Sequence, residues 1–186
     1  SISSCETNYS SLIEHSNLSI NSKSLKNYIY HLETSFLIKS SNKFSGGSAK
    51  KSSTFKIYLI DIAIRNMLLG LMNDLLLKNP AQYGYAVETL AYDHIVRLNF
   101  KIRGNVPIYY WKEGKRGKEV DMVIKLNGEK IPFEIKKSDN PPISDMVGLR
   151  TFCRKHDTVG IVLCGQKLDL EENIVFLTYW LFVLIC

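Results

Sequence analysis

The dipeptide Asn127-Gly128 stands between two strand-like runs, EVDMVIKL and EKIPFEI, and restricts the local fold more than any other feature of the chain. Both central positions of a type I′ hairpin turn need φ > 0, which Asn and Gly tolerate best, so antiparallel strands over 119–126 and 130–136 are predicted. The register follows: Leu126 faces Glu129, and counting down the ladder places Asp121 opposite Glu134. That rung is non-hydrogen-bonded, where facing side chains approach most closely. With a side-chain period of two, Lys136 shares the face of the two acids, while Met122, Ile124, Leu126, Ile131, Phe133 and Ile135 share the other. One face reads as core and the other as chemistry. Pro132 falls on a non-hydrogen-bonded rung opposite Val123, where its missing N–H costs the ladder nothing. A turn one residue longer would put Asp121 opposite Ile135 and dismantle the pair.

Like charges directly opposite each other destabilise a sheet. A hard divalent cation such as Mg²⁺ reverses the sign when it takes one oxygen from each carboxylate and completes its shell with water and phosphate oxygens. Such an ion polarises a phosphodiester and supplies hydroxide, and a neighbouring ammonium orients the water or stabilises developing charge. Asp121, Glu134 and Lys136 therefore form a nuclease-type arrangement. The competing reading is a surface charge network in which Asp121 pairs with Lys136 or Lys137 and does no chemistry.

The rest of the chain divides into two. Asn21 and Ser22 are N-cap candidates for a helix with Leu25, Ile29 and Leu32 at i, i+4, i+7 on a buried face. Its opposite face carries Lys23, Lys26, Asn27, Tyr30 and His31, suited to phosphates and base edges or simply to solvent. Phe36–Ile38 and Phe55–Tyr58 read as short strands flanking a loop with Lys43, Gly46, Gly47, Lys50 and Lys51, which is the layout of a winged helix. The loop's GGSAKKSS is not a P-loop, because Ala49 stands where the second Gly is required. A helix over 60–77 bridges to a boundary at Asn79-Pro80, giving domains 1–78 and 79–186. Beyond it a helix is predicted over 84–98, with Glu88 on one side, then strands at 106–111, 119–126, 130–136 and 158–163, with a helix over 144–155. Alternating elements of this kind imply an α/β sandwich. The apolar run from Ile174 to Cys186 is too short to span a membrane, for which about 20 residues are needed, and is expected to be a buried strand or terminal element.

The order helix-Glu, YYWKEGKRGKEVDMVIK, FEIK, helix resembles the PD-(D/E)XK, or restriction-endonuclease-like, nuclease superfamily. Preceded by SLKNYIYHLETSFLIKSSNKFS and FKIYLIDIAIRNMLLG, it resembles the C-terminal half of archaeal and bacterial ATPases of the AAA class. There a P-loop domain is followed by a winged helix and a restriction-endonuclease-like domain, the DUF4143 or archaeal-ATPase C-terminal region. The resemblance covers roughly residues 10 to 180. It implies Asp121, Glu134 and Lys136 as the catalytic core, with Glu88, Asp121 and Glu134 as ligands of Mg²⁺ or Mn²⁺. Glu119 recurs in the E-V-D run and is read as lying on the face opposite Asp121, a salt-bridge residue rather than a ligand. The chain itself has no Walker A or Walker B motif, so ATP belongs only to an upstream domain outside this sequence.

Lys112, Lys115, Arg116 and Lys118 form a basic loop behind Tyr109, Tyr110 and Trp111. It is read as a strip for phosphates, with Trp111 buried. The formal charge of +6 suits a polyanionic partner without requiring one. His31 and His94 lack a second ligand at useful spacing, and the basic residues Arg150, Arg154, Lys155 and His156 suit a helix C-terminus. Four cysteines, Cys5, Cys153, Cys164 and Cys186, lie scattered without a metal-binding or disulfide pattern, so reduced thiols in a cytoplasmic protein are expected. No signal peptide is visible, and a start at Ser1 suggests a piece of a longer protein. The expected fold class is α/β: an N-terminal winged helix-turn-helix followed by a restriction-endonuclease-like sandwich with a mixed central sheet. The expected function is that of a DNA-binding module of an AAA-type ATPase with a Mg²⁺-dependent phosphodiesterase site. A non-catalytic DNA-binding or protein-docking module, and an element mediating oligomerisation, are the alternatives.

Overall fold

The structure, a computed structural model, describes residues 5–16, 19–46, 53–71, 78–102, 106–114 and 117–185. The chain forms two compact units, Ser1–Leu90 and Ala91–Cys186.

The first unit opens with β1 (Glu6–Thr7), α1 (Tyr9–Ser16) and α2 (Ser22–Thr34). Asn21 caps α2 as expected, its side chain accepting the Ser24 amide. Two strands follow, β2 (Ile38–Lys43) and β3 (Phe55–Leu59), antiparallel to each other, with β1 on the other edge of β3. Ile29, Ile38 and Phe55 form the centre of the core, surrounded by Tyr9, Leu12, Leu25, Ile57 and Leu59. The predicted buried face of α2 is narrower than its spacing implied, since Leu32 is 40% exposed. Phe36 and Leu37, read as strand, instead terminate α2: Phe36 has φ +56°, and the Leu37 amide bonds back to the Leu32 carbonyl. The glycines and lysines of the predicted wing at 47–52 lie outside the described residues.

The bridging helix is shorter than predicted in what is described: α3 covers Ile62–Leu68, capped by Asp61, while 72–77 lie outside the described residues. Next comes α4 (Pro80–Ile102), a helix that begins four residues before the expected start. The reason is local: Asn79 accepts the Gln82 amide with its side chain, and Pro80 sits where a first-turn N–H is not needed. Asn79-Pro80 is thus a helix start.

The described residues of the second unit form six strands: β4 (Ile108–Lys112), β5 (Glu119–Leu126), β6 (Glu129–Ile135), β7 (Gly160–Cys164), β8 (Asp169–Glu171) and β9 (Ile174–Thr178). Their spatial order is β4-β5-β6-β7-β9-β8. The pairs β4/β5, β5/β6 and β8/β9 are antiparallel, and β6/β7 and β7/β9 are parallel, a mixed sheet in an α/β unit. A 3₁₀ turn (Ile143–Asp145) and α5 (Val147–His156) carry the crossover from β6 to β7. The apolar C-terminal run divides between β9 and α6 (Tyr179–Ile185). Among the described residues no helix is long and apolar enough to cross a membrane.

Candidate active site

The turn behaves as its sequence demands. Asn127 and Gly128 have φ of 53° and 91°, and the ladder runs Leu126–Glu129, Lys125–Lys130, Ile124–Ile131, Val123–Pro132 and Met122–Phe133. The ladder ends there: Asp121 and Glu134, expected on the next rung, are not paired in it. The Ile135 amide donates to Asp121 Oδ2 at 2.8 Å, so a carboxylate takes the place of a backbone acceptor. The cause lies on the far side of β5. Tyr109 pairs with Val123 and Trp111 with Val120, so Asp121 and Met122 together oppose the single residue Tyr110. This bulge turns the strand just where the acid sits, a common device for aiming a side chain.

Glu134 and Lys136 share a face, and Lys136 Nζ donates to Glu134 Oε1 at 2.8 Å. That face is not open, which corrects the expected division into a core side and a chemistry side. Glu134 pairs with Val162 on β7, placing it on the side of Gly160, whose missing Cβ leaves room for Leu149 and Cys153 of α5 at 2.9 Å. Val123, Pro132 and Glu134 are buried on this side, and Met122, Ile124 and Phe133 are buried on the other. The middle of the hairpin, from Met122 to Ile124 and from Pro132 to Glu134, is buried, while Asp121 is half-buried.

Burial therefore sets the electrostatics. Glu134 is 8% exposed, and its Oε2 has no hydrogen-bond partner. Burial, reinforced by the charge of Asp121, pushes its carboxyl up to about 8 against the pull of Lys136. Burial also works against the Lys136 ammonium, but Glu134, Asp121 and Asp145 outweigh it and leave its pKa raised. Tyr179 on α6 donates its hydroxyl to the Lys136 carbonyl, and the Lys136 amide bonds to Leu163 O at 2.9 Å, pinning the end of β6.

Glu119 forms the ion pair expected of it, with Lys112 Nζ at 3.3 Å from its Oε2. The bulge at Asp121 and Met122 interrupts the two-residue period between Glu119 and Asp121, and the Glu119 charge helps raise the Glu134 carboxyl. Gly148, in the first turn of α5, packs on the Glu119 backbone so closely that a Cβ would lie 2.0 Å from its carbonyl oxygen.

Glu88 lies on α4 within the first unit. It accepts the Tyr58 hydroxyl at 2.9 Å and pairs with Lys56 Nζ at 3.6 Å. Among the described residues no group of three or more His, Cys, Asp or Glu is placed to hold a metal ion. Lys23, Asn27 and Tyr30 are exposed on α2, and Lys26 is exposed with its ammonium 5.1 Å from the centre of the Tyr9 ring. Lys118 is exposed, while Lys50, Lys51, Lys115 and Arg116 lie outside the described residues. Trp111 is buried, as expected, edge-on to Phe152 at 5.5 Å. His94 packs against Phe182, and Cys5, Cys153 and Cys164 are free thiols; burial pushes the Cys153 thiol up to about 11. Sequence reasoning missed Asp145, Tyr179, Lys56 and Tyr58. All four reach their partners through tertiary contacts, and no local pattern marks them.

Residues 1–75 match a second family, described as Domain of unknown function (DUF8612). An uncharacterized protein of Mycobacterium tuberculosis (Rv2008c) and one of Mycobacterium bovis (Mb2031c) are each 27% identical over 121 residues, 64% of this chain and 26% of the relative. The chain thus spans about a quarter of the length of the curated relatives it matches. No solved structure matches it. A further match runs over residues 83–182, taking in the whole carboxylate hairpin, the crossover helix and the parallel strand beside it. On that match the chain belongs to the family described as Domain of unknown function (DUF4143).

Proposed function

We propose that this chain is a cytoplasmic DNA-acting module, a winged helix joined to a restriction-endonuclease-like domain, serving an AAA-type ATPase and carrying a Mg²⁺-dependent phosphodiesterase site. The observation that carries the reading is the buried, unpartnered Oε2 of Glu134 beside a second carboxylate, Asp121, with Lys136 just past the end of the same strand. An orphaned oxygen held among like charges is stable only when protonated or given a cation. Asp121 and Glu134 fit Mg²⁺ or Mn²⁺, which takes one or two carboxylates and leaves its other positions to water and phosphate. When bound, such an ion polarises the phosphodiester and lowers the pKa of a bound water.

The chain's own residues do the rest. Asp121 is fixed by the Ile135 amide, so its carboxylate is oriented before any ligand arrives. The Lys136 ammonium, held by Glu134 and supported by the charge of Asp145, is placed to orient water or to stabilise charge developing on phosphate oxygens. Lys112 and Lys118 flank the start of β5 and supply positive charge for the strand backbone. The helix, helix, hairpin order of the first unit supports the winged-helix reading, with Lys23, Lys26, Asn27 and Tyr30 facing DNA from α2.

The Lys136–Glu134 ion pair favours a second reading, in which the carboxylates are structural and the module only binds DNA or docks on a larger protein. The two separate in an assay on plasmid and branched DNA with Mg²⁺ or Mn²⁺, comparing the wild type with Asp121→Ala and Lys136→Ala. Metal-dependent cutting lost in both variants is expected. No cutting, or equal cutting in all three proteins, overturns the nuclease reading and leaves the second.

A further inference from the structure

We infer that Phe36 is a stacking platform for an unpaired base, and that the first unit engages single-stranded or frayed DNA. The inference rests on the DNA-facing role given to α2 above and narrows its substrate. Phe36 holds the residue position just past α2 with φ +56°, and the Phe36 and Leu37 amides bond back to the Glu33 and Leu32 carbonyls at 3.1 and 3.0 Å. This helix-ending geometry is ordinarily filled by Gly, because any Cβ is crowded there. A bulky residue at such a position needs a compensating gain, and in a folded chain the usual gain is burial. Phe36 has none: it is 73% exposed, second among the described large hydrophobic residues to Leu184 at 76%. With strain and no burial, the compensating gain lies in a ligand outside the chain.

One face of α2 defines the ligand chemistry. Lys23, Lys26 and Tyr30, at i, i+3 and i+7, share it, with Tyr30 62% exposed, while Tyr28, 55% exposed, lies on another face. The helix's one acid, Glu33, is half-buried and engaged by Ser40, its Oε1 accepting from the Ser40 amide at 2.8 Å and the Ser40 hydroxyl at 2.6 Å. An exposed ring set between lysines suits a base stacked on an aromatic with its phosphate neutralised alongside. In a paired duplex the base faces are already stacked, so a ring at this position contributes only where a base is free.

The test measures binding of the full chain to labelled oligo-dT, to forked DNA and to a blunt duplex, with Phe36→Gly and Phe36→Trp beside the wild type. Phe36→Gly is expected to fold with unchanged or higher thermal stability, yet to bind oligo-dT and forked DNA about tenfold more weakly, with duplex binding unchanged. Phe36→Trp is expected to restore the affinity, and Lys23→Ala to flatten the salt dependence that Phe36→Gly leaves intact. Equal binding by wild type and Phe36→Gly overturns the platform while leaving the DNA-binding role of α2 standing. Failure of the wild type to bind any DNA overturns both. Loss of self-association in Phe36→Gly with DNA binding intact assigns the ring to a second copy of the chain, and likewise overturns the inference.

Discussion

Replacing Glu134 by Gln converts the buried acid into a neutral isostere that still accepts from Lys136, so its effect on stability is governed by proton binding. The folded carboxyl sits at about 8, against 4.5 for the free group. Between those values the folded chain holds a proton that the unfolded chain has released, so wild-type stability falls as pH rises through this window. At ~1.4 kcal/mol per pH unit the full window corresponds to about 5 kcal/mol, of which roughly 3 to 4 kcal/mol falls between pH 5 and pH 8. Below 4.5 both states are protonated and the term vanishes. Glu134→Gln carries no such term, so its stability relative to wild type is expected to climb by that amount from pH 5 to pH 8. For a chain of this size that is a relative rise in Tm of roughly 10 °C. Urea melts of both proteins at several pH values, without divalent metal, provide the measurement. A difference that stays flat with pH, or that turns against Gln as pH rises, would show that Glu134 is ionised at ordinary pH and held by its pair with Lys136. The argument from burial would then be refuted.

Two further perturbations follow from the same geometry. Asp121→Asn keeps an acceptor for the Ile135 amide but removes the charge that helps raise its neighbour, so the Glu134 titration seen by NMR is expected to fall below about 8; an unmoved titration would separate the two acids. Gly148→Ala places a methyl 2.0 Å from the Glu119 carbonyl oxygen, so α5 must shift off β5, and a lower urea midpoint is expected, with a loss of about 1–3 kcal/mol; an unchanged midpoint would show that the helix moves freely there.

Much of the hairpin was legible because its determinants are local. Asn127-Gly128 names its own turn type, and the turn fixes the register as far as Met122–Phe133, one residue short of Asp121 and Glu134. What escaped notice depends on residues far along the chain. The bulge at Asp121 exists only through pairing with β4, and the burial of Glu134 only through α5, so the strand sequence alone left one face looking open. The same limit affected the ends of elements. Asn79-Pro80 serves equally as a turn or as a helix start, and only the Gln82 amide on Asn79 decides between them. The apolar run after Ile174 has no period that separates strand from helix, and it proved to be both.

The seat of β6, antiparallel to β5 on one edge and parallel to β7 on the other, has a kinetic consequence. The first pairing needs closure of a two-residue turn, and the second must wait for residues 136–159 to fold across the sheet. Short closures are fast and long ones slow. Closing the turn first would gather the two acids while they are still in water, where their mutual repulsion is weak, and enclose them afterwards. The energetic burden of the site then falls late in folding, on the step that lays α5 over the hairpin, and it grows as the solution becomes more alkaline.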